Sequence, residues 1–134
     1  MKIEKIQALR GPNIWSIRRK NLIQMRLDLE EMENFPTNKI EGFRERIEKL
    51  IPSLITHRCI EGVEGGFFHR VETGTWMGHV IEHIALEIQS LAGMEAGFGR
   101  TRETKTPGVY NVVFHYVEEN AGIYAAEQAV EIAQ

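Results

Sequence analysis

Residues 76–91 read WMGHVIEHIALEIQSL, and this stretch decides the fold because it predicts the longest helix of the chain. At about 100° per residue, its apolar side chains recur on one broad face. That face holds Trp76, Met77, Val80, Ile81, Ile84, Ala85, Ile88 and Leu91. Thr73 or Thr75 is expected to cap the start of the helix, and Gly93 is expected to end it.

Strand patterns lie on both sides of this helix. Three segments with strand-type patterning are predicted as strands: residues 3–9, 23–29 and 109–117. Two further amphipathic helices are predicted at residues 42–51 and 121–133, and residues 97–107 are predicted as a glycine-led basic loop. Early strands, central helices and a final strand and helix predict an α+β fold. We expect a single domain, residues 1–134, with helices packed on one face of a small, mostly antiparallel sheet.

Size and composition exclude several classes of protein. The 134 residues suit one domain, and 43% hydrophobic residues suffice for a core. A net charge of −3 does not suggest a nucleic-acid binder. The lone Cys59 cannot form an internal disulfide, and the chain shows no metal-type spacing of cysteines.

Targeting and nucleotide motifs are missing from the sequence. The N-terminus, MKIEKIQALR, is charged throughout and predicts no signal peptide. No apolar run approaches the ~18 residues of a membrane span, so we expect a cytoplasmic protein without membrane contact. Because no G-x-x-x-x-G-K-[ST] loop occurs, we expect no nucleotide on this chain.

The long helix carries the motif His79-Val80-Ile81-Glu82-His83. Two imidazoles four residues apart project from one face about one turn apart, so both can bind one metal ion. Glu82 is placed to polarise a metal-bound water, and the order H-x-x-E-H is the inverted zincin signature. Both histidines lie beside the apolar stripe and not at its centre. Two alternatives follow: the metal pair of a zinc hydrolase, or a solvated surface pair with a solvated glutamate.

A zinc hydrolase needs three protein ligands and an open position for water, and the motif supplies two. His69 is the first candidate for the third, because it lies just upstream and can approach the first helical turn. Other candidates are Glu118, Glu119 and Glu127. Glu87, about 12 Å from His79 along the helix, is predicted as an outer hydrogen-bond partner of His83. Two histidines are interpreted as structural or incidental: His57 and His115.

Two basic clusters are candidates for binding a substrate. One consists of Arg100, Arg102 and Lys105 beside glycines, and the other includes Arg18 and Arg19. Guanidinium groups pair well with carboxylates, and a substrate backbone can approach a glycine closely. The alternative is ordinary solvated surface charge.

Several blocks of this sequence resemble the N-terminal domain of the cyanophycin synthetase family. In order, they are LRGPN at 9–13, WSIRR at 15–19, MRLDL at 25–29, GGF at 65–67, MGHVIEHIALE at 77–87 and AGFGRTRET at 96–104. Where members often read G-F-L-E-R, this chain reads GFFHR at 66–70. His69 therefore stands at a glutamate position, and since both residue types ligate zinc, the third ligand is either His69 or a residue elsewhere.

The resemblance implies a function in the synthesis of cyanophycin, a poly-aspartate backbone with arginine on each side-chain carboxylate. It implies that this domain holds the polymer near attached ATP-grasp and Mur-ligase-like modules, which this chain lacks. It also implies that a zinc site at His79, Glu82 and His83 cuts the polymer into primers, with Glu82 as the base. Two alternatives stay open: a metal-free polymer-binding module, and a scaffold domain that makes homo-oligomer contacts.

Overall fold

A four-stranded antiparallel sheet forms one layer of the protein. The computed structural model describes residues 1–17 and 21–134. The strands are β1 (Lys2–Leu9), β2 (Leu22–Asp28), β3 (Gly99–Glu103) and β4 (Val109–His115). Their order across the sheet is β1-β2-β4-β3, and every neighbouring pair is antiparallel.

In the described part of the chain, four α-helices accompany the sheet. They are α1 (Phe43–Leu50), α2 (Gly66–Thr73), α3 (Met77–Leu91) and α4 (Glu119–Ala133). Short 3-10 turns fill much of the chain between β2 and α2. Within the described part of the chain, no helix is long and apolar enough to cross a membrane.

The two faces of the sheet differ in chemistry. On one face, alternate residues of β2 and β4, among them Met25 and Val112, are fully buried in a core shared with α3 and α4. On the opposite face, Gln7 donates to Gln24 at 2.9 Å, and Gln24 donates to Asn111 at 3.0 Å. This division confirms the predicted α+β fold with helices packed on one face of an antiparallel sheet.

Two local predictions are corrected, and one helix had no prediction. The predicted basic loop contains a strand, because residues 99–103 pair with β4 through a regular antiparallel register. Residues 66–73 form α2, which the glycines of this region concealed. Neither Thr73 nor Thr75 caps α3: Thr73 ends α2, and Trp76 is the residue before α3, with no capping hydrogen bond from its side chain. Gly93, with φ of 80°, follows the end of α3 as expected.

Candidate metal centre

Helix α3 turns its polar motif residues into the protein interior. The exposed fractions are only 8% for His83, 7% for Glu82 and 5% for Glu87. His79 is half-buried. Because His83 and Glu82 are buried, the two histidines and the glutamate are not a solvated surface group. Buried polar groups must find partners, because desolvation without a hydrogen bond is costly. The partners of these three side chains define the site.

Cys59 completes a cluster with the two motif histidines. Its Sγ lies 3.3 Å from Nε2 of His79. One ligand atom each from Cys59, His79 and His83 can be chosen so that all three lie within 4.8 Å of one another. Ligands on one tetrahedral zinc ion lie about 3.4–3.6 Å apart, given usual Zn–N and Zn–S bond lengths. Cys59, His79 and His83 could hold a zinc ion once their ligand atoms, now up to 4.8 Å apart, close to the tetrahedral spacing, with a fourth position for water.

The backbone at Cys59 has an unusual conformation. Its φ is +52°, in the left-handed region that residues with a Cβ rarely adopt. The turn that carries Cys59 packs tightly against the start of α2. A Cβ added to Gly66 would lie only 3.0 Å from the carbonyl carbon of Arg58. Left-handed residues of this kind often occur at functional sites, where surrounding packing holds them.

Hydrogen bonds orient His79 toward the cluster. Oγ1 of Thr75 lies 2.9 Å from Nδ1 of His79. If Nδ1–H donates to this hydroxyl, the Nε2 lone pair of His79 faces Cys59. Thr75 therefore orients the His79 imidazole instead of capping the helix, and metal-binding histidines commonly have such a hydrogen-bond partner.

Two side chains linked by a hydrogen bond, Glu87 and the half-buried His57, orient His83. Nε2 of His57 lies 2.7 Å from Oε2 of Glu87, and Nδ1 of His57 lies 2.9 Å from Nδ1 of His83. When neutral His57 donates Nε2–H to Glu87, its Nδ1 accepts from Nδ1–H of His83. That leaves the Nε2 lone pair of His83 free for a metal. Glu87 thus acts through His57 and not by the direct bond to His83 that we predicted, and His57 belongs to the site.

Burial keeps both motif histidines neutral, as metal ligation requires. Desolvation is the main cause that lowers the pKa of His79 to about 4, and the positive charge of Arg70 adds to it. Desolvation also lowers the pKa of His83 to about 3, with smaller effects from His79 and His57. Burial raises the pKa of the Cys59 thiol, so metal binding there would release its proton.

Glu82 lies between α3 and β3 with a strongly shifted pKa. Desolvation raises its pKa to about 7, against smaller opposing effects of Thr101 and Arg100. Oγ1 of Thr101 donates to Oε2 of Glu82 at 2.6 Å. A Cβ on Gly99 would lie 2.6 Å from Cγ of Glu82, so this position has no room for any larger residue. A carboxyl with a pKa near neutrality can both take and give a proton at physiological pH.

Two recesses flank the cluster. One of about 580 Å³ is lined by His57, His83, Leu86 and Gly97 among others. The other, of about 270 Å³, is lined by Arg70, Trp76 and Tyr110 among others. Cys59, Ile60, His79 and Glu82 line both recesses. The two recesses therefore lie next to each other at the cluster.

The remaining predicted ligands lie elsewhere. The imidazole of His69, on α2, has its hydrogen bond to Glu61 and a side chain that is 59% exposed. Glu118 accepts from two backbone N–H groups at the start of α4, and Glu119 pairs with Arg10. Glu127 is exposed on α4. None of these four belongs to the Cys59, His79 and His83 cluster.

The predicted substrate-binding residues lie near one edge of the sheet. Arg100 and Arg102 are exposed on the edge strand β3, where Thr101 between them points to Glu82. Alternation along the strand directs the two arginines away from the helices. Lys105 is exposed in the turn after β3. The other predicted residues, Arg18 and Arg19, lie outside the described residues.

Comparison with known proteins identifies relatives over nearly the whole chain. Residues 24–134 match the family described as Cyanophycin synthase-like N-terminal domain. A cyanophycin synthetase of Geminocystis herdmanii (strain PCC 6308) is 62% identical over 132 residues, which are 98% of this chain and 15% of that protein. A cyanophycin synthetase of Synechocystis sp. (strain ATCC 27184 / PCC 6803 / Kazusa) is 59% identical over 134 residues, 100% of this chain and 15% of that protein. The chain thus spans about 15% of the length of these curated relatives.

Proposed function

Because the chain belongs to the family of cyanophycin synthase-like N-terminal domains, we propose that it binds the arginyl-poly-aspartate polymer and hydrolyses it into primers at a zinc site. The ligands would be Cys59, His79 and His83. One observation carries the proposal: their ligand atoms lie within 4.8 Å of one another, and Glu82 lines the same recesses.

Each side chain has a role that its surroundings support. A zinc ion, when bound, supplies a Lewis acid that lowers the pKa of a water toward ~7. Glu82 accepts the proton of the attacking water and passes it to the leaving amine. Thr101 holds the Glu82 carboxylate by its hydrogen bond of 2.6 Å. Thr75 and the Glu87–His57 pair fix the two imidazoles so that they need not reorganise.

The whole protein, by this proposal, is a cytoplasmic cyanophycin synthetase. The curated relatives carry that name and are several times longer than this chain. ATP-grasp and Mur-ligase-like modules of the full-length protein would extend the polymer, and this domain would supply them with primers. Assembly into a homo-oligomer is compatible with this arrangement.

Metal removal tests the hydrolase directly. Protein purified with about one zinc ion per chain should release short segments from insoluble or soluble cyanophycin, and chelation should stop the release. Adding back zinc should restore it, because in this mechanism Glu82 supplies the general base and zinc supplies the Lewis acid. The measurement is soluble amine or segment release together with elemental analysis. Cleavage that continues at full rate in metal-free protein would disprove the metal-dependent mechanism.

A metal-independent polymer-binding module is the second candidate function. It is favoured by the exposed basic residues of the β3 edge: Arg100, Arg102 and Lys105. The arginine carboxylates of the polymer could pair with these groups along a repeating chain. This function could exist beside hydrolysis or in its absence.

Replacing Arg100 and Arg102 together by alanine should lower polymer affinity several-fold, even in chelated protein. Each exposed pair contributes only ~0–1 kcal/mol, but a repeating ligand engages several at once. The loss should shrink as salt rises, because the screening length of about 8–10 Å at physiological ionic strength falls to about 3 Å at 1 M. Calorimetry or anisotropy with soluble segments at two salt concentrations measures it. An affinity insensitive to both changes would assign binding to another surface, with Arg18 and Arg19 as the next candidates.

A further inference from the structure

Among the residues that the structure describes, the cation that lines the smaller recess beside the cluster has no counterion. Arg70 lines it together with Trp76 and Tyr110. Nε of Arg70 is buried and has no hydrogen-bond partner among the described residues. Over residues 1–17 and 21–134, Arg70 also forms no ion pair with a carboxylate within 4.0 Å. Arg44, by contrast, pairs with Glu48 and Glu72.

Arg70 lies close enough to the cluster to act on whatever binds there. Its positive charge adds to the burial that lowers the pKa of His79 and partly opposes the burial that raises the pKa of the Cys59 thiol. The other groups of the recess do not neutralise it. Tyr110 is kept protonated by desolvation and by Glu33, both of which raise its pKa. One carboxylate oxygen of Glu82, Oε2, accepts a hydrogen bond from Thr101, which lines the same recess.

A half-buried guanidinium without a partner is unfavourable in an isolated protein, and a ligand with a carboxylate would relieve it. Guanidinium and carboxylate groups form paired, charge-assisted hydrogen bonds that are about twice as strong as neutral ones. Trp76 is 38% exposed at the same recess. Its ring offers a face on which a flat or cationic part of the same ligand can pack.

We propose that the recess of Arg70 and Trp76 is a carboxylate-binding subsite that positions one residue of the substrate next to the metal cluster. The inference rests on the proposed hydrolysis and names the part of the substrate it selects. In cyanophycin, each arginine is joined to a side-chain carboxylate by an amide. Because the arginine retains its guanidinium, that amide is formed by its α-amine, and its own α-carboxylate stays free. Arg70 pairs with that α-carboxylate, while Trp76 packs against the arginine side chain. No bond forms or breaks at Arg70; it is a specificity-determining residue.

Two forms of one substrate separate this role from general charge effects. Soluble cyanophycin segments are compared with the same segments whose α-carboxylates are converted to primary amides. Zinc-loaded wild-type protein should show a KM at least about tenfold lower for the free carboxylates, the usual size of one charge-assisted hydrogen bond. Arg70→Gln should raise the KM for free carboxylates by about tenfold or more and leave the KM for the amides nearly unchanged. Its kcat should stay within about threefold of wild type, because Arg70 does not take part in the chemical step.

Matched variants keep the result interpretable. Arg26→Gln removes an arginine that pairs with Glu4 on the opposite face of the sheet and should behave as wild type. Arg70→Lys keeps the charge without the paired geometry and should retain part of the discrimination; it decides the matter if Arg70→Gln fails to fold by circular dichroism.

The possible outcomes separate the subsite from the hydrolase. If Arg70→Gln has a full zinc content and still discriminates between the two substrates as wild type does, the subsite proposal is wrong. If wild-type protein cleaves neither substrate, the hydrolase proposal fails. The same comparison is then made as a binding titration of both segment types with zinc-loaded protein. In that titration, the subsite is supported if wild type prefers the free carboxylates and Arg70→Gln does not. It is overturned if the two proteins show the same preference.

Discussion

Glu82→Gln should keep a full complement of zinc and cleave cyanophycin about 10²–10⁴-fold more slowly than wild type, the usual effect of losing a general base. The amide has nearly the same shape as the carboxyl and can still accept the hydrogen bond from Thr101, so the packing between α3 and β3 should persist. It cannot accept a proton from the attacking water. Single-turnover release of segments, with zinc measured in the same samples, gives both quantities.

The matched control is Glu127→Gln, which makes the same chemical change on the exposed face of α4. It should match wild type in zinc content and rate, and it also tests one of the glutamates first considered as a ligand. Wild-type cleavage by Glu82→Gln would remove Glu82 from the mechanism. Loss of zinc from that variant would instead make Glu82 a ligand.

Periodicity in the sequence predicted the elements that build the core. Residues 76–91 have the 3.6-residue pattern of α3, and the alternation in residues 23–29 and 109–117 matches β2 and β4. These two strands are central in the sheet, and α3 packs on them, so burial imposes a regular pattern on each. Elements of this kind can be predicted because one whole face must be apolar.

Elements at the edge of the core lack that pattern. β3 pairs on one side only, so its sequence, GRTRE, carries exposed arginines and resembles a basic loop. α2 begins at Gly66, and Gly65 precedes it. Two consecutive glycines usually indicate a turn, so the sequence concealed the start of this helix. Here Gly66 is needed because the backbone of Arg58 leaves no space for a Cβ. A requirement for space between distant segments has no local signature in a sequence.

Site residues could likewise be predicted from the sequence only where they lie within one element. His79, Glu82 and His83 lie on one helix, so their spacing alone shows that they share a site. Cys59 comes from a 3-10 turn twenty residues upstream of His79, and no spacing rule connects the two. A lone cysteine and a histidine such as His57 acquire meaning only when the fold brings them to α3. His69, which is nearer in sequence, instead turns toward Glu61.

Cys59→Ala should remove zinc at free-metal concentrations that saturate wild-type protein, and cleavage should fall with it. Loss of an outer hydrogen-bond partner typically costs about 10–100-fold in metal affinity, and loss of a direct ligand should cost more. Alanine keeps the Cβ, so the left-handed backbone at residue 59 is strained equally in both proteins and the fold is preserved. Elemental analysis in a metal buffer measures the zinc content of this variant and of His79→Ala, which should behave alike.

His69→Ala is the decisive comparison, because it removes the ligand that the sequence favoured and leaves the cluster of the structure intact. It should keep its zinc. Replacement of zinc by cobalt adds a spectroscopic test, since a thiolate bound to cobalt gives a charge-transfer absorption in the near ultraviolet that imidazole and carboxylate ligands do not. That band should appear in wild type and in His69→Ala and be missing in Cys59→Ala. Retention of zinc by Cys59→Ala together with its loss from His69→Ala would assign the third ligand to α2 and require the turn at residues 58–61 to move when metal binds.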